Sequence, residues 1–112
     1  MIIAWTTIEK REDAERLARG AVEARLAACT QIDGPITSFY HHEGKLERAE
    51  EFRLWFKCLP ANTSALSAWV HARHPYRTPQ WIEVSAESVS EKYLSWAMAN
   101  SSHDPFPKSK SP

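Results

Sequence analysis

Cys29, His41, His42, His71 and His74 could together build a site for a soft metal ion, since thiolate and imidazole are donors that suit copper. His41 and His42 are adjacent at a strand end. Alternation sends neighbours to opposite faces, so the pair fits a polar hairpin tip better than one shared ion. His71 and His74 lie three apart at a helix end, near enough to cooperate if the helix persists, although a helix C-terminus also favours histidine electrostatically. Cys29 follows two alanines where helix gives way to strand, and a buried, inert thiol is the ordinary state of such a residue. The metal candidates are therefore Cys29, His71 and His74, for copper or another divalent cation, with a purely structural role for each as the competing reading.

Catalytic patterns are harder to find. The three glycines, Gly20, Gly34 and Gly44, are too far apart for a phosphate-cradling loop. There is no GxSxG elbow, no HExxH pair and no cysteine flanked by an obvious base, so the expectation is a protein that is not an enzyme. Glu50-Glu51 reads as a solvated pair at the start of a strand. Tyr76, within His74-Pro75-Tyr76-Arg77-Thr78-Pro79, either anchors a stiff connector through its ring and hydroxyl or lines a cleft between subunits.

These groups must be positioned by one small domain, because 112 residues divided in two would leave neither half a core. A content of 43% hydrophobic and 25% charged residues is that of a chain that folds. Fourteen basic and fourteen acidic side chains cancel, which argues against nucleic acid or an anionic membrane as a partner. Cys29 and Cys58 have no CxxC spacing, and no apolar stretch approaches the roughly 18 to 20 residues that span a bilayer. The expectation is a soluble, cytoplasmic protein.

The apolar start Met1 to Trp5, continued by Thr6, Thr7 and Ile8, reads as a strand. Ala14, Leu17, Ala18, Ala21, Val22 and Leu26 recur at the spacing of one helix face. A bent strand follows through Asp33-Gly34-Pro35 to Tyr40, and Gly44 allows the reversal of a hairpin. On the return limb Phe52, Leu54, Phe56 and Cys58 alternate with Arg53, Trp55 and Lys57, which leaves Trp55 off the core face. A second helix runs from Asn62 or Thr63 to Arg73, with Leu66, Trp69 and Val70 on one side. The two prolines of the connector exclude regular helix. Trp81 to Ala86 is a strand, and Val89, Tyr93, Trp96 and Ala97 mark a last helix. The order predicts an α+β, ferredoxin-like βαββαβ fold with an additional C-terminal helix over residues 1–100, and a flexible tail at 101–112.

Four blocks carry a resemblance: Arg25-Leu26-Ala27-Ala28-Cys29; Ser38-Phe39-Tyr40 with Glu43-Gly44-Lys45; His74-Pro75-Tyr76-Arg77-Thr78-Pro79; and Tyr93-Leu94-Ser95-Trp96. In this order and at these spacings the chain resembles the CutA, or divalent-cation tolerance, family over roughly residues 2 to 98. The resemblance implies a homotrimer whose long hairpins extend sheets across subunit boundaries. Five tryptophans are many for so small a core, and Trp55 is the residue placed nearest an interface. It also implies a role in tolerance of copper or another divalent cation. The family pattern puts a cysteine at the end of the first strand, a histidine before HPY and a glutamate after TP; here those positions read Trp5, Arg73 and Gln80. The alternative is a ligand-responsive regulatory trimer of PII-like architecture that binds a small molecule in the clefts between subunits.

Overall fold

Alternation, helical spacing and turn chemistry resolve, in a computed structural model that describes residues 1–102, into four strands and three helices. They run β1 (Ile2–Ile8), α1 (Arg11–Glu23), β2 (Cys29–His42), β3 (Lys45–Cys58), α2 (Thr63–Arg73), β4 (Ile82–Ser85) and α3 (Glu91–Ala99). The strands form one antiparallel sheet in the order β2-β3-β1-β4, which is the ferredoxin-like arrangement expected from the element order.

One face of the sheet meets α1 and α2. Ala4 and Ile8 of β1, and Leu54, Phe56 and Cys58 of β3, pack there with Ala14, Leu17 and Ala21 of α1 and Leu66 and Val70 of α2. Gly20 lies where the helices approach: a Cβ at this position would stand 2.7 Å from the Trp69 ring. Among the described residues no helix is long and apolar enough to cross a membrane.

The end of α1 differs from the periodic expectation. The helix stops at Glu23, and Arg25 turns left-handed with φ 60. The Arg25 N–H then donates to the Val22 carbonyl and the Leu26 N–H to that of Ala21, at 2.9 and 3.1 Å, a Schellman closure that satisfies the last carbonyls. Leu26 is therefore buried beyond the helix, not on its face, while Val22 is 38% exposed. Asn62 differs too. It precedes α2 without capping it; its side chain donates to the Ser102 carbonyl at 3.1 Å. Ser102 in turn donates its N–H to the Arg25 carbonyl, and Ser101 is buried, so these two residues belong to the packed body and not to a tail. Residues 103–112 lie outside the described residues.

The hairpin between β2 and β3 turns at Glu43 and Gly44, both with positive φ, the signature of a type I′ turn. β1 pairs with β3 only from Phe52 to Cys58, so residues 36–42 and 45–51 project past the sheet as a two-stranded arm. At its root β2 changes register between Asp33 and Ile36. Gly34 sits there with φ 127, and a Cβ would meet the Glu51 carbonyl at 2.9 Å. Arg53 bridges the irregularity by donating to both carboxylate oxygens of Asp33, at 3.2 and 2.8 Å.

Candidate functional site

The connector from α2 to β4 folds back beside the root of the arm, and a group of polar side chains closes there. His74, just past the end of α2, is buried. Its Nε2 lies 3.0 Å from the Thr7 carbonyl, which can only accept, so the proton is on Nε2. The same nitrogen is 3.1 Å from the Thr6 hydroxyl, and Nδ1 accepts the Tyr76 N–H at 3.1 Å. Both ring nitrogens are thus engaged by the protein. Burial holds His74 below the usual histidine range, while the bond to Thr7 pulls weakly the other way.

Tyr76 stacks edge-on against the His74 ring, with centroids 4.8 Å apart, and its hydroxyl donates to Oε2 of Glu51 at 2.8 Å. Burial, then the bond to Glu51, push the phenol well above the ordinary tyrosine range. Of the two sequence readings of Tyr76, the anchor is thus the one its contacts describe. Glu51 corrects a sequence expectation: it is not solvated but only 7% exposed. The connector covers it, a contact 25 residues away in sequence that local pattern cannot reveal. Thr7 completes the wall by donating its hydroxyl to Gln80 at 3.3 Å.

Between connector and arm opens a cleft of about 750 Å³, walled by Phe39, Tyr40 and Tyr76 and carrying Glu9, Glu51 and Arg77. No spacing rule links residues 9, 39, 51 and 77; the topology brings them together.

The metal candidates are distributed otherwise. Thr30 bonds the Ala18 carbonyl of α1, so the adjacent Cys29 points to the opposite face of the sheet, away from both helices. There it lies beside Tyr93, whose phenol is raised first by burial and then by this thiol. His71 and His74 belong to the helical side. His71 is exposed and donates Nδ1–H to the Ser67 carbonyl at 2.7 Å, and His74 has no free nitrogen. One chain therefore does not gather Cys29, His71 and His74 around an ion, and these residues do not fit a resident copper site. His41 and His42 are both exposed on the arm. Among the described residues no group of three or more His, Cys, Asp or Glu side chains is placed to hold a metal. At the three positions of the family pattern, Trp5 meets Trp55 edge-on at 5.0 Å, Arg73 stacks over Trp69 at 4.4 Å, and Gln80 accepts from Thr7.

Trp55 lies, as alternation expects, on the face away from α1 and α2. Register puts Gln31, Trp55, Trp5 and Ile82 in one row across that face, and Cys29, Lys57, Ile3 and Val84 in the next. Ile82 and Val84 are exposed, and Trp96 of α3, placed on an apolar face by its spacing, is 45% exposed.

Comparison with known proteins agrees with this architecture. The family model described as CutA1 divalent ion tolerance protein matches residues 2–100. A protein CutA homolog of Xenopus laevis is 38% identical over 93 residues, which are 83% of this chain and 62% of that protein, so the chain spans less than two thirds of that relative. A divalent-cation tolerance protein CutA of Yersinia pestis is 33% identical over 99 residues, 88% of this chain and 83% of the relative. Among solved structures, CutA1 of Oryza sativa superposes with a TM-score of 0.88 at 31% identity, covering 92% of this chain and 94% of its own. The divalent cation tolerance protein of Thermus thermophilus gives 0.86 at 30% identity, over 91% and 100%.

Proposed function

Because the chain belongs to the CutA1 divalent ion tolerance family, we propose that it works as a cytoplasmic homotrimer in the tolerance of divalent cations such as copper, without a catalytic step. The observation that carries this reading is the arm. A two-stranded ribbon is at best marginally stable alone in water, yet this one projects past the sheet with Phe39 66% and Leu46 68% exposed. Contact with further copies would cover it. The edge strand β2, fourteen residues long, and the apolar row through Trp55, Trp5 and Ile82 offer surfaces for the same purpose. Two free thiols, Cys29 and Cys58, suit a reducing compartment. The balanced charge favours neither nucleic acid nor an anionic membrane as partner.

Tolerance in this account does not pass through a copper ion held by Cys29, His71 and His74 of one chain. Expression of the chain in a copper-sensitive bacterial host should raise the copper concentration that halts growth, and Trp55→Glu, which puts a charge on the apolar row, should cancel the gain. Identical growth with and without the chain would contradict the role. The cleft beside the arm favours a second reading, a ligand-responsive regulatory trimer of PII-like architecture.

A further inference from the structure

The most unusual charge among the described residues is that of Glu51. Its side chain is almost wholly buried, yet among the described residues no lysine, arginine or histidine forms an ion pair with it, and the one hydrogen bond to its carboxylate comes from Tyr76 to Oε2. Buried carboxylates ordinarily have a cation or several donors. Oε1 is neither bonded nor sealed away: the fully buried, unpaired polar side-chain atoms among the described residues are Nε1 of Trp5 and Oδ1 of Asn62. Glu51 lines the cleft, and Oε1 is its carboxylate oxygen without a partner among the described residues.

The surroundings narrow what that is. Glu9, Glu51 and Arg77 give the cleft one net negative charge when His42 is neutral. Phe39, Tyr40 and Tyr76 supply aromatic surface, which attracts organic cations and accepts an apolar body. A divalent metal would need several convergent ligands, and no cluster of that kind is present among the described residues.

We propose that the cleft between the hairpin arm and the connector binds a small primary ammonium compound with an apolar body, its N–H groups donating to Oε1 of Glu51. This gives a ligand class to the second reading above and rests on the cleft being a ligand site that stays open towards the connector when further copies cover the rest of the arm; it does not depend on copper.

The test uses the full chain and three probes of the same body: 2-phenylethylamine as the cation, 2-phenylethanol as the neutral form and phenylacetate as the anion, each titrated by calorimetry and ligand-observed NMR. The amine should bind saturably and at least about tenfold tighter than the other two, the difference expected of one charged hydrogen bond in a largely desolvated site. Glu51→Gln should weaken the amine by about tenfold or more, whereas Glu50→Gln, which removes the same charge from the neighbouring exposed residue outside the cleft, should hold its affinity within about threefold. Should Glu51→Gln fail to fold, the probe comparison on the unaltered chain decides alone. Tighter binding of phenylacetate or equal binding of all three would overturn the ligand class while leaving the cleft a site. Absence of saturable binding by any probe would overturn both.

Discussion

Replacing Tyr76 by phenylalanine removes one oxygen and should cost this domain much of its margin. Among the described residues the hydroxyl is the one hydrogen-bond donor to the Glu51 carboxylate, which is buried beside it. A hydrogen bond to a charged group contributes about 1.5 to 3 kcal/mol, and a buried acceptor left unmet carries a desolvation penalty of similar size. The ring, its edge contact with His74 and the cleft wall all remain. The expected loss is therefore about 2 kcal/mol, or about 8 to 10 °C in Tm for a domain of this size, measured by calorimetry at one fixed protein concentration so that any oligomer linkage is constant. Tyr40→Phe is the control. That side chain is 46% exposed in the same cleft and should change stability by less than about 0.5 kcal/mol. The pH dependence has a definite sign. A phenol raised on folding contributes stability that is present below about pH 10 and declines as pH rises above it, because the folded state then holds the proton longer. Tyr76→Phe should lack that alkaline decline. A variant indistinguishable from Tyr40→Phe would mean that Glu51 is solvated and does not depend on the Tyr76 hydroxyl.

Three further outcomes follow from neighbouring contacts. His74 is held neutral, with its pKa lowered, so the unfolded chain takes up protons first. Stability should therefore fall as pH drops below about 6.5, by up to about 1.4 kcal/mol per unit, with a shallower slope in His74→Gln followed by urea unfolding. Gly34→Ala should destabilise by about 2 kcal/mol or more, since a left-handed backbone and the Glu51 carbonyl 2.9 Å from the new Cβ act together; unchanged urea midpoint would contradict the bulge geometry. Gly20→Ala should lower Tm despite a helix-propensity gain of about 1 kcal/mol, because the methyl meets Trp69, and the same change should raise Tm in a Trp69→Leu background.

The elements were legible where one residue's neighbours in sequence are also its neighbours in force. Alternation from Phe52 to Cys58 places Leu54, Phe56 and Cys58 in the core and Trp55 outside it. Two prolines in six residues stop α2 and make the connector. Leu26 defeated the helical count because Arg25 reverses the chain first, which requires a left-handed residue that no side-chain preference advertised. Glu51 looked solvated because its partner arrives from the connector. Cys29 and His71 have the right chemistry for one ion, but which face each occupies depends on where α1 and α2 cover the sheet, a tertiary fact. The cleft was illegible for the same reason.

The claim on which the rest depends is that the arm and the open sheet face are covered by further copies of the chain. Sedimentation equilibrium of the tag-free protein at micromolar concentration tests it most directly. One species of three times 12.8 kDa is expected, shifted towards the single chain by Trp55→Glu. A mass of one chain that does not change across the concentration range, with the arm still folded, would contradict it.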